Sequence, residues 1–183
     1  MEGGVCRMNQ RLLILGAGRC GQMTKEIAEA MGCFTQINFL DDQAPGAVGK
    51  LLDYERFSTE YGYTIPAMES GTQRLKWIRK LEESCYQIPV LLHPRAYVSP
   101  SAQLMKGTIV EPMAVVQTNT TVAIRCLLSA GAVVEQNCFI GDGCHIGCNV
   151  SVPAGTILPA QTKVICSCVY QPMSLQEDAE LYV

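Results

Sequence analysis

Between Cys138 and Cys148 the sequence CFIGDGCHIGC sets three cysteines and His145 within eleven residues. Thiolate and imidazole are the ligands zinc prefers, so the first chemistry this stretch suggests is metal binding. It contains neither a CxxC pair nor a ladder of such pairs. The six-residue register derived below turns Cys138 and Cys144 inward at equivalent positions and leaves Cys148 and His145 elsewhere on the repeat. The four side chains therefore do not converge, and no metal is expected.

A second constellation is Gly16-Ala17-Gly18-Arg19-Cys20-Gly21, a G-x-G-x-x-G between the apolar run RLLIL and a helix-like segment. Glycines there let the chain turn tightly and let a phosphate approach backbone N–H groups at a helix N-terminus. Asp41 and Asp42 follow about twenty residues after Gly21, where a carboxylate commonly holds a ribose hydroxyl or a base edge. The bland alternative is a turn that needs glycine only for packing, beside a solvated aspartate pair. The strand-to-helix context favours nucleotide binding.

Two kinds of element must position these residues. Arg11–Leu15 reads as a buried strand, Cys20–Met31 as a helix, 35–40 as a second strand and 63–68 as a weaker one. An amphipathic helix over 72–86 carries apolar Leu75, Ile78 and Leu81, and 88–92 reads as a last strand. That order predicts a small Rossmann-like parallel α/β domain over 1–92. His93-Pro94 marks the junction, with the histidine expected to cap or lie on the surface.

From Val98 onward an aliphatic residue returns every six positions: Val98, Leu104, Val110, Val116, Val122, Leu128, Val134, Ile140, Ile146, Val152, Leu158 and Val164. With Ile, Leu and Val at roughly a quarter of the chain, chance would produce this on the order of once in ten million. Four residues after each sits a small or β-branched residue, from Ala102 through Cys126, Cys138 and Cys144 to Cys168. This is the hexapeptide repeat of a parallel β-helix, with about four coils over 93–172 and a tail over 173–183. A tight corner explains the small residues, and cysteine fits it as alanine or threonine does.

The formal net charge of -3 and the lack of a basic run argue against nucleic acid or an anionic membrane as partner. No apolar run approaches the roughly 18 residues of a membrane span, and residues 1–10 lack the apolar core of a secretion signal. A cytoplasmic protein is expected. The ten cysteines are scattered rather than set in a compact framework, so disulfides are not expected.

The glycine loop, the run Phe39-Leu40-Asp41-Asp42, the His93-Pro94 junction and the hexapeptide repeats together resemble the sugar acyltransferases typified by sialic-acid O-acetyltransferase and bacillosamine-pathway N-acetyltransferase. The resemblance covers about residues 11 to 165. It implies a first domain that holds a sugar or sugar nucleotide and a left-handed β-helix that forms a homotrimer. It also implies acetyl-CoA as acyl donor, in a cleft between neighbouring helices. Asp41 and Asp42 match its nucleotide contacts, and Gly16, Gly18 and Gly21 its phosphate loop. Cys20 stands where it carries a histidine that reaches the sugar.

The resemblance places a general base and its orienting acid at positions occupied here by Gln136 and Asn137, and a second, acyl-holding histidine at His145. A neutral amide has no site that accepts a proton near pH 7, and such a base is typically worth 10²–10⁴ in rate. The chain is therefore either a transferase, in which His145 takes over the base role or the substrate amine enters already deprotonated, or a non-catalytic relative that binds sugar nucleotides or serves as a trimeric scaffold. The family's Gly-x-Pro-Ala-Lys-like end, which helps enclose the coenzyme, is replaced here by Tyr170-Gln171-Pro172 and a short acidic tail.

Overall fold

A computed structural model describes residues 10–165 and 169–170. The expectations for residues 1–9, for Cys168 and for the 173–183 tail lie outside the described residues.

In the first half, strands β1 (Arg11–Leu15), β2 (Gln36–Leu40) and β3 (Tyr63–Pro66) form one parallel sheet in the order β2-β1-β3. Helix α1 spans Arg19–Met31 and ends on Gly32 in the left-handed conformation. Helix α2 spans Gly71–Glu82, with the Ser70 side chain accepting from the Gln73 N–H at its start. It stops four residues short of the predicted end at 86, because Ser84 N–H turns back to the Leu81 carbonyl. A 3₁₀ helix over Leu51–Phe57 carried no periodic signal in the sequence.

The second half is a three-faced prism of two-residue strands. One face stacks β4 (Leu91–Leu92), β7 (Ile109–Val110), β10 (Leu127–Leu128), β13 (His145–Ile146) and β16 (Lys163–Val164). Four strands form each of the other faces: β5 (Tyr97–Val98), β8 (Val115–Val116), β11 (Val133–Val134) and β14 (Ser151–Val152) in one, and β6 (Gln103–Leu104), β9 (Thr121–Val122), β12 (Phe139–Ile140) and β15 (Ile157–Leu158) in the other. All pairings are parallel, the pattern of a left-handed parallel β-helix. Each repeating aliphatic is the second residue of its strand and points inward, into a core that includes Val116, Val134, Ile140 and Ile146. Burial of each contributes about 1.5–3 kcal/mol before conformational entropy.

The predicted strand over 88–92 is shorter and differently placed. Only Leu91–Leu92 is extended, and it pairs with β7 as the first rung of the prism rather than with the α/β sheet. The repeat therefore begins one hexad earlier, at Leu92.

Two corner devices complete the repeat. Three residues after each aliphatic from Leu104 to Leu158 the backbone takes a positive φ, at Gly107, Met113, Asn119, Arg125, Gly131, Asn137, Gly143, Asn149, Gly155 and Gln161. Glycine and asparagine dominate because they tolerate that conformation best. At the next position Thr108, Thr120, Cys126, Cys138 and Cys144 each donate a side-chain hydrogen bond to the carbonyl fifteen residues on. Cysteine thus does at the corner what threonine does: it is small, and it donates across to the next coil.

Candidate functional site

The outward-facing residues of the five-stranded face form a column: Leu91, Ile109, Leu127, His145 and Lys163. Its first three are buried under α1 and β1, in one core with Leu12, Ile14, Ile27 and Ala28. That apolar cover makes the prism and the α/β half one packed body. At His145 the column changes chemistry, because the cover ends there and cavities open.

Arg74 on α2 fixes the seam. It is 1% exposed, and its guanidinium donates only to backbone carbonyls: Nε to Arg125, Nη1 to Met68 and Glu69, Nη2 to Gly143 and Cys144. All five of its N–H groups are thereby used, which is the condition for burying a guanidinium without a carboxylate. Sequence reasoning missed it, since in an amphipathic helix an arginine reads as a solvated face. The far end of α2 is tied by Glu82, which meets Lys106 Nζ at 2.8 Å and Arg125 Nη2 at 3.2 Å.

The glycine loop borders a cavity of about 490 Å³ lined by Gly16, Gly18, Asp41, Lys76, Trp77 and Lys80, among others. Its three glycines do different work. Gly16 has φ +100, and a Cβ on Gly21 would collide with the Gly16 carbonyl, so the turn itself requires both. A Cβ on Gly18 would meet nothing within 4 Å. Nothing in the protein demands glycine at that point, which is the N-cap of α1 and offers no side-chain partner to the first-turn N–H groups.

Asp41 lines this cavity with its carboxylate committed to backbone N–H groups: Ala17 at 2.8 Å, Gln43 at 2.9 Å and Ala44 at 2.9 Å. The Ala17 bond foremost, then the others, holds its carboxyl below the ordinary aspartate value. Asp42 accepts from the Leu51 N–H at 3.1 Å, at the start of the 3₁₀ helix, and is not among the cavity's lining residues.

A second cavity, of about 370 Å³, adjoins the first. The two share Arg19, Cys20 and Glu69, and the second is lined further on by Glu111, Ser129 and His145. A third, also about 370 Å³, reaches His145 from the other side, between Ser70–Thr72 and Gln161–Lys163. His145 Nε2 lies 3.0 Å from Ser129 Oγ, while its Nδ1 is buried with no partner among the described residues. Burial first, then the Arg74 and Lys163 charges, pushes its pKa down to about 4, so the ring is neutral near pH 7.

Gln136 and Asn137 are exposed and line neither cavity that His145 lines. Asn137 is a left-handed corner residue whose Oδ1 accepts from Asn119 Nδ2 at 3.3 Å. Within the chain, the positions that the resemblance gives to the base and its orienting acid are thus not brought together with His145. Among the described residues no group of three or more His, Cys, Asp and Glu side chains is set to hold a metal ion. His93 Nδ1 accepts from the Arg95 N–H at 3.0 Å, closing the junction turn. No helix among the described residues is long and apolar enough to cross a membrane.

No protein-family model matches the chain. Among solved structures it is similar to the acetyltransferase domain of PglB from Neisseria gonorrhoeae FA1090, with TM-score 0.71 and 26% identity over 89% of this chain and 92% of that one. The same domain in complex with acetyl coenzyme A gives TM-score 0.70 and 27% identity, over 88% and 92% of the two chains. PerB from Caulobacter crescentus, in complex with CoA and GDP-perosamine, gives TM-score 0.77 at 23% identity over 87% and 88%, a likeness of fold. The architecture of this chain is thus the hexapeptide-type fold of sugar acetyltransferases.

Proposed function

We propose that the chain is an acetyltransferase that moves an acetyl group from acetyl-CoA to the sugar of a sugar nucleotide. The observation that carries this reading is that the two cavities adjoin across Arg19, Cys20 and Glu69: a diphosphate at Gly18 and the α1 N-terminus would direct its sugar past these residues to His145. Gly16 and Gly21 shape the loop, Asp41 holds it to the end of β2, and Asp42 would serve the nucleotide through Leu51, which lines the cavity and whose N–H it holds. This makes the first half a Rossmann-like sugar-nucleotide domain. The acyl donor would approach His145 from the opposite side, past Lys163. The relatives support the chemistry, since one neighbour binds acetyl coenzyme A and another binds CoA with a GDP-linked sugar.

The same reading takes the protein as a homotrimer in the cytoplasm. Phe139 and Ile157, stacked outward on one prism face, are 47% and 75% exposed and offer an apolar strip to a second copy.

The test is to incubate the purified chain with acetyl-CoA and a panel of UDP- and GDP-linked amino sugars, following free thiol and product mass. Turnover lost on His145→Ala supports the reading. A sugar nucleotide that raises the melting temperature without any turnover would instead establish the non-catalytic relative, the outcome that Gln136 at the base position favours.

A further inference from the structure

We propose that Glu111 is the proton acceptor of this site, beside Ser129 and His145 in the second cavity. The inference rests on the acetyl-transfer reading above and answers what that reading leaves open, a base to replace Gln136.

Glu111 and Ser129 each follow the inward aliphatic of a strand, β7 and β10, one directly above the other, and His145 opens the next strand of the same face. Both belong to a repeat position that faces the cavity rather than the core. Glu111 Oε2 accepts the Ala130 N–H at 3.0 Å, which fixes the carboxylate in place. The Ser129 hydroxyl, on a buried residue, lies 3.0 Å from His145 Nε2.

The two ring nitrogens of His145 are both taken out of the cavity's chemistry: Nε2 is engaged with Ser129 Oγ at 3.0 Å, and Nδ1 is buried. His145 therefore presents no free nitrogen to a substrate amine.

Two carboxylates line the cavity, with the cations Arg19 and Lys163 beside them. Glu69 is 60% exposed at its side chain and pairs with Arg19 at 3.4 Å. Glu111 is half-buried and makes no ion pair among the described residues. Burial raises its pKa, with the Ala130 hydrogen bond opposing.

In the transfer, the amine lone pair forms a C–N bond to the acetyl carbonyl carbon. The C–S bond of the thioester breaks with its electron pair on sulfur. The proton lost from nitrogen passes to Glu111 and then to the thiolate, leaving the N-acetyl sugar, free thiol and the original carboxylate.

Glu111→Gln keeps the side-chain shape and an acceptor for the Ala130 N–H but removes the basic charge. With an acceptor sugar nucleotide found in the panel, kcat should fall on the order of 10²–10⁴-fold while KM for acetyl-CoA stays within about twofold. E111Q turning over within about twofold of wild type would overturn the proposal and leave the acetyl-transfer reading standing. Wild-type protein inactive on every acceptor would overturn both. If E111Q fails to fold, Glu111→Met, of similar length and uncharged, decides in its place: a loss on the order of 10²-fold or more in kcat supports the proposal, and turnover within about twofold of wild type overturns it.

Discussion

The prism and the α/β half hold their shape by opposite means. In the prism a few rules recur coil after coil: an aliphatic to the core, a left-handed corner that is most often glycine or asparagine, and next to it a small or β-branched residue, at several corners a side-chain donor. In the α/β half single residues do unrepeated work. Gly21 admits the Gly16 carbonyl, Asp41 binds three N–H groups, and Arg74 joins five carbonyls across the seam. Repetition tolerates the loss of one unit, whereas the single residues of the α/β half have no equivalents to take over from them.

The sharpest way to break this contrast is at the seam. Arg74→Ala strips the hydrogen bonds from buried carbonyls of both halves and should cost about 4 kcal/mol, read as the midpoint of urea unfolding. If the account is right, the single cooperative transition also splits, with the prism unfolding last.

Next comes the glycine loop. Gly21→Ala forces the loop away from α1 and should cost about 2 kcal/mol. Gly18→Ala meets open space and should change stability by less than about 0.5 kcal/mol, yet weaken binding of a sugar nucleotide measured by calorimetry. Equal effects of the two on stability would remove the argument that Gly18 serves a ligand.

His145 supplies a pH signature. Its folded pKa is lowered from 6.5 to about 4, so the unfolded chain binds the proton first as pH falls. Its contribution is complete above pH 6.5, is lost progressively down to about 4, and changes no further below that. Unfolding midpoints across that window should slope for wild type and lose this part of the slope in His145→Gln.

The smallest effect tests the corner rule. Cys138→Ala removes a donor to the Pro153 carbonyl and should cost about 1 kcal/mol, whereas Cys138→Thr restores it and should cost less than that.

How much was legible follows the same division. The prism was readable because its period overrides any single residue, and even there the first rung, Leu92, was assigned to the wrong half: a two-residue strand at a junction carries no period of its own. The corner glycines and asparagines at 107, 119, 131, 137, 143, 149 and 155 were a second periodic signal in plain sight. The glycine loop was readable as a motif, but the separate duties of its glycines were not, since they depend on what a missing Cβ would touch. Arg74 and the Glu111–Ser129–His145 line were illegible. One needs the seam between halves, and the other joins residues in three coils.

The central claim is that one continuous site runs from Gly18 to His145. A crystal structure with a UDP-linked amino sugar tests it most directly. The account predicts the diphosphate at the Gly18 and Arg19 N–H groups with the sugar ring in the cavity of Glu111, Ser129 and His145. A diphosphate seated away from the glycine loop, or a sugar turned away from His145, would contradict it.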